Sequence, residues 1–105
     1  IWKEVDGIMS ANPKLVPAAQ VLDEISYEEA SELAYFGAKV LHPSTMGPAI
    51  RKKIPILIRN SFDPSKPGTK IHEKAVSRHA VKGFTTIDAV TLINLEGTGM
   101  LGVPG

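Results

Sequence analysis

The segment Ile54-Pro-Ile-Leu-Ile-Arg59 constrains the fold of this chain more than any other. It is short, nearly continuous in apolar residues and rich in β-branching. That pattern predicts a strand buried on both faces, as strands of parallel sheets are. Pro55 cannot donate to a ladder, so it fits only near the beginning of the strand. Helical sequence precedes the run, and a helix leading into such a strand is the signature of an α/β fold.

The preceding helices have readable starts. Ser26 and Glu29 form an S-x-x-E capping box, in which the hydroxyl accepts from the Glu29 N–H and the carboxylate reaches back to the Ser26 N–H. Glu28, Glu29 and Glu32 then lie near the positive end of the helix dipole. Ala30, Leu33, Ala34 and Gly37 follow at helical spacing as a close-packing face, and Gly37 is expected to end or bend the helix. His42-Pro43 marks a second start. Pro48 disfavours a long helix interior, which places this helix at about residues 45–52. The basic run Arg51-Lys52-Lys53 suits its C-terminus.

Elsewhere the pattern is looser. Residues 1–17 carry the turn dipeptides Asp6-Gly7 and Asn12-Pro13 and read as a loop, with Ile1-Trp2 as the end of a strand. Residues 60–80 read as a connector with a brief strand at Thr69–His72. Val81–Thr85 and Ala89–Leu95 read as two further strands around Ile87-Asp88. Gly97, Gly99, Gly102 and Gly105 make the last stretch a glycine-rich loop.

Composition removes several function classes. A formal net charge of +1 gives no field favouring nucleic acid or an anionic membrane. The absence of cysteine excludes disulfides, thiolate zinc sites and a cysteine nucleophile. No apolar run approaches the ~20 residues that span a bilayer, and no signal-peptide pattern is present. A cytoplasmic location is expected. The chain starts without methionine and stops within a loop, so it is expected to be a piece of a longer parent. A partial sheet would leave an edge and an apolar face open, which favours association.

The polar residues, taken alone, read blandly. Glu28, Glu29 and Glu32 form a solvated helix face rather than an acid–base pair, and Ser26 is a cap rather than a nucleophile. His42, His72 and His79 match no ligand spacing, so no metal is expected on protein ligands. The final glycines lack the lysine and hydroxyl of a P-loop.

Four blocks in order carry a family resemblance: Ile1-Trp-Lys-Glu-Val-Asp-Gly-Ile-Met-Ser-Ala-Asn-Pro-Lys14; Ser26 to Pro43, with Phe36-Gly-Ala-Lys-Val-Leu-His-Pro43 the most specific part; Ile54 to Asn60 with Pro67-Gly-Thr69; and Val81-Lys-Gly-Phe84 with Ala89 to Gly102. Together these resemble the aspartate kinases, over nearly the whole chain. The resemblance implies an α/β architecture: part of an amino acid kinase α/β/α sandwich (residues 1–72, the nucleotide-binding part), a linker (73–80), and the first strands of an ACT-like, ferredoxin-type regulatory region (81–105).

The resemblance also implies a reaction, phosphorylation of L-aspartate by ATP with Mg2+ carried on the phosphates. Lys39 matches the lysine that reaches the phosphates. Lys3, Glu4, Met9 and Lys14 fall on the nucleotide loop. Glu4 would lie near ribose or base, Met9 would pack on the adenine, and Lys14 would replace an arginine at phosphate, keeping the charge but losing the bidentate fork. The family usually has Thr-Asp at positions 3 and 4, often Tyr at 9, and Asp-Pro-Arg at 12–14. An amino-acid feedback effector and a homo-oligomer are further expectations for the parent, while the piece alone is expected to be inactive. The alternatives are another amino acid kinase and a non-catalytic regulatory or assembly module.

Overall fold

The computed structural model describes residues 1–35, 40–76 and 79–94. The expected end of the first helix at Gly37, the Phe36–Lys39 stretch and the terminal glycines lie outside the described residues. Six elements follow in chain order: β1 (Trp2–Lys3), β2 (Glu24–Ser26), α1 (Tyr27–Tyr35), α2 (Pro43–Lys52), β3 (Ile56–Asn60) and β4 (Thr69–His72). The strands form one mixed sheet in the order β1-β3-β4-β2. β1 runs parallel to β3, β3 antiparallel to β4, and β4 parallel to β2.

Register and side-chain alternation together make the core. Ile56 pairs with Ile71, which pairs on its other side with Ile25, and Ile58 pairs with Thr69. Because alternate residues of a strand face one side, these residues form a single inward surface. Ile25, Ile58, Ile71, Thr69 and Met46 are fully buried there, joined by Ile8, Tyr27, Ala30 and Leu41. The opposite face carries the Leu57–Lys70 pair. Leu57 is 47% exposed, so β3 is buried on one face and not on both as its composition predicts. An apolar run records what a strand could bury; among the described residues this side of Leu57 is left about half open.

The capping box forms as expected. The Glu29 N–H donates to Ser26 Oγ at 3.1 Å, and the Ser26 N–H donates to Glu29 Oε2 at 2.7 Å. α2 starts at Pro43, with His42 as its N-cap: Nδ1 accepts from the Ser44 N–H at 3.2 Å. The helix therefore begins about two residues before the expected start near residue 45, and it runs through Pro48. Gly47 precedes that proline, and without a Cβ it escapes most of the clash that bars larger residues from helical geometry there. α2 ends at Lys53 in the left-handed conformation, with φ 54°. The Tyr27 hydroxyl donates to the Ile54 carbonyl at 2.7 Å and so ties the start of α1 to the approach to β3.

β4 occupies the predicted Thr69–His72 span. At its end His72 Nε2 lies 2.8 Å from Glu24 Oε2, and the Val76 N–H donates to Oε1 of the same carboxylate. The bonds from His72 and then Val76 hold Glu24 below the ordinary carboxylate range. The two strands expected at 81–85 and 89–95 are not formed in the part of them that is described. A strand needs a run of ladder bonds to a neighbour; residues 81–94 form no such ladder among the described residues, the Phe84 N–H bonding singly to the Ser10 carbonyl, and Ala89 interrupts the run with φ 54°.

Candidate functional site

The N-terminal loop is built outward from β1. The Arg59 N–H donates to the Ile1 carbonyl, and both the N–H and the hydroxyl of Ser61 donate to the Lys3 carbonyl at 2.8 and 2.9 Å. The Arg59 guanidinium lies 5.5 Å from the centre of the Trp2 ring, within cation–π range. Where the chain leaves β1, a hollow of about 570 Å3 opens, lined by Trp2, Lys3, Glu4, Val5, Val40 and Ser61. Its volume is that of a small-molecule site, and its walls combine apolar surface with one cation and one carboxylate.

Asp6 fixes the next turn. It accepts from Asn60 Nδ2 at 2.8 Å through one oxygen and from Lys66 Nζ at 2.6 Å through the other. The Lys66 bond, then that of Asn60, lowers the Asp6 pKa, while Asp6 raises that of Lys66. Gly7 follows with φ 156°, and a Cβ there would meet Thr69 Oγ1 at 2.5 Å and Val21 Cγ1 at 2.8 Å. This close approach lets the buried Thr69 hydroxyl accept the Ile8 N–H at 2.8 Å. Thr69 is thus a buried polar residue facing an otherwise apolar core, and the loop backbone is its partner.

Beyond Ile8 the chain closes into a second loop. Met9 bridges Val21, the Ser10 N–H donates to the Gln20 carbonyl at 2.7 Å, and the Gln20 N–H donates to Ser10 Oγ at 3.0 Å. At the tip, Asn12 Oδ1 accepts the Lys14 N–H, and the Asn12 carbonyl accepts from Leu15 and Val16. Lys14 is exposed there.

A model of the amino acid kinase family matches residues 1–60. The chain belongs to this family. The match spans β1, the loop, both helices and β3. The resemblance to aspartate kinases holds beyond it. Over its full length the chain is 50% identical to the bifunctional aspartokinase/homoserine dehydrogenase 1, chloroplastic, of Zea mays, of which it covers 12%. It is 40% identical to aspartokinase 2, chloroplastic, of Arabidopsis thaliana, covering 20% of that protein. Among solved structures, E. coli aspartokinase III in complex with aspartate and ADP is 47% identical, with a TM-score of 0.68 over 72% of this chain and 17% of that one. The aspartate kinase of Clostridium acetobutylicum is 38% identical, with a TM-score of 0.71 over 78% of this chain and 20% of that one. The chain therefore spans between about an eighth and a fifth of the curated relatives it matches.

Within this family frame the expected residues separate into three groups. Lys3 and Glu4 line the hollow. Met9 and Lys14 belong to the loop beyond it, Met9 half-buried at the bridge to Val21 and Lys14 at the exposed tip. Lys39 lies outside the described residues, although Val40, its neighbour in sequence, lines the hollow. Sequence reasoning passed over Asp6, Asn60, Ser61, Lys66 and Thr69, all of which fix the loop. Asp6-Gly7 signalled only a turn, and the partners of Asp6 are 54 and 60 residues away. Among the described residues no three His, Asp or Glu side chains converge as a metal site, and no helix is long and apolar enough to cross a membrane.

Proposed function

We propose that this chain is the nucleotide-holding part of an aspartate kinase. In that reaction an oxygen of the aspartate side-chain carboxylate forms a bond to the γ-phosphorus of ATP, the bond to the β-phosphate oxygen breaks, and ADP leaves an acyl phosphate. Such chemistry needs positioning and charge neutralisation more than covalent assistance from the protein. The observation that carries the reading is the hollow beside β1, where Lys3 and Glu4 meet Val40. A relative crystallised with aspartate and ADP supports it.

The residues fit a nucleotide. Trp2, Val5 and Val40 offer apolar wall, Glu4 an acceptor for hydroxyl or amino groups, and Lys3 a cation. Lys39 neutralises phosphate charge, as a lysine point charge commonly does, and Lys14 supplies a second cation from the loop. Met9 gives the base a polarisable surface. Magnesium, arriving on the phosphates, supplies further neutralisation of the transferring group. The full protein forms a homo-oligomer, with residues 81–105 opening a regulatory ACT region that takes an amino-acid effector. A relative crystallised with lysine and aspartate supports the effector. A cytoplasmic location competes with a plastid one, since the plant relatives are chloroplastic by name.

The test is calorimetric titration of ATP into the full-length protein and its Lys39→Ala variant. A loss of about 1–3 kcal/mol, the scale of a charged hydrogen bond, is expected. No binding by the wild type, or equal binding by both, would reject the reading. Aspartate-dependent ATP consumption by the same protein then separates an enzyme from a non-catalytic module.

A further inference from the structure

Residues 82–84 cross the molecule at the point where the loop and the first helix begin. Lys82 Nζ donates to Glu29 Oε2 at 2.7 Å, and its side chain is only 13% exposed. The same Glu29 oxygen accepts the Ser26 N–H, so Lys82 holds the capping box of α1 from outside. Burial works to raise the Glu29 pKa, but the bonds from Lys82 and Ser26 overcome it and bring it below the ordinary range. Two residues further on, the Phe84 N–H donates to the Ser10 carbonyl at 2.7 Å. Gly83 permits the approach, since a Cβ there would stand 3.1 Å from the same carbonyl.

Ser10 is the neck of the loop that carries Lys14, since its N–H and hydroxyl close the loop against Gln20. Its carbonyl is taken by Phe84, so two of the polar groups of Ser10 hold Gln20 across the loop and the third holds one distant segment. Phe84 is 69% exposed, so its backbone rather than its ring makes this attachment.

We infer that Lys82–Phe84 is a strap that fixes the Ser10–Gln20 loop and the α1 capping box to each other, so that displacement of the chain beyond Phe84 loosens both. The attachment stands on these contacts alone; its bearing on nucleotide affinity rests on the function proposed above. The strap supplies a mechanical connection from the segment after the connector to the loop, with no ligand needed at the junction.

Amide hydrogen exchange in the full-length protein tests it. Phe84→Pro removes the N–H, whereas Phe84→Ala keeps it and removes the ring. Phe84→Pro should speed exchange at Ser10 and Gln20 by about tenfold, the scale of one lost hydrogen bond. Phe84→Ala should not, and the β3 and β4 amides should stay protected in both, which reports an intact fold. Lys82→Gln should speed exchange at Ser26 and Glu29, and Lys82→Arg should restore it. Exchange at Ser10 and Gln20 that stays at the wild-type rate in Phe84→Pro overturns the strap. So does equal loosening by Phe84→Ala. ADP affinity measured on the same proteins separates the two readings: a wild type that binds no ADP rejects the nucleotide reading, while the exchange pattern still decides the strap.

Discussion

The sheet core and the N-terminal loop are adjacent in space but held by different forces. Ile25, Ile58, Ile71 and Met46 are fully buried and hold together by apolar contact. The loop from Lys3 to Gln20 sends Ile8 into that core and is otherwise held by single polar bonds, from Ser61, Asn60, Lys66, Thr69 and Gln20. Apolar burial is non-directional and withstands salt. Individual hydrogen bonds have small net value but fix direction. The core therefore supplies stability, and the loop has a position that can be adjusted one bond at a time.

The sharpest way to break this contrast is to empty the core. Ile71→Ala should cost about 2–5 kcal/mol in urea unfolding, the range for a buried aliphatic truncated without collapse. A loss under about 1 kcal/mol would mean that the isoleucine row does not organise the fold. A smaller effect is expected where the two regions meet. Thr69→Val preserves shape and apolar contact but leaves the Ile8 N–H without its acceptor, at a cost of about 1–3 kcal/mol. Exchange at Ile8 should accelerate in this variant while the β3–β4 ladder stays protected. Unfolding of both regions together would show that the loop is part of the core after all.

The mildest perturbation is pH. The Asp6 carboxyl is held below its ordinary value of 3.8, first by Lys66 and then by Asn60. Its contribution is complete above that value and disappears as pH falls through the lower folded one. Lys66 is raised above its ordinary 10.5 by Asp6, so its contribution is complete below that value and disappears as pH rises through the higher folded one. The tether should thus be constant near neutrality and slacken in strong acid and strong base. Lys66 is exposed and Asp6 partly so, hence the effect is small and is screened by salt. Exchange at Gly7 and Ile8 should show this profile in the wild type and lose its acid limb in Asp6→Asn. A wild-type profile flat into acid would remove Asp6 from the tether.

Features encoded within a few residues were legible in the sequence. Ser26 and Glu29 are three positions apart and announce their own geometry, as do His42-Pro43 and the Thr69–His72 strand. Features that depend on distant partners were not. Leu57 looks like its neighbours Ile56 and Ile58, and only the layout of the sheet turns it outward. Val81–Thr85 has strand composition, yet a strand exists only beside another. At the hollow, Lys3 and Glu4 were singled out through family resemblance alone. The residues that hold them in place became visible only once the chain had folded back on itself, because nothing near Asp6 in sequence points to Asn60 or Lys66.

The contact between Gly7 and Thr69 has a consequence for the variants open to this chain. Any side chain at position 7 collides with the hydroxyl at 69, and Ser there would keep the colliding oxygen in place. Ala at 69 would remove that oxygen together with the acceptor of the Ile8 amide, and Val21 Cγ1 would still stand 2.8 Å from the added Cβ. The hydroxyl at 69 therefore bars a side chain at 7, while the Ile8 amide requires that the hydroxyl stay. Two residues far apart in the chain are thus held to a narrow choice by one contact.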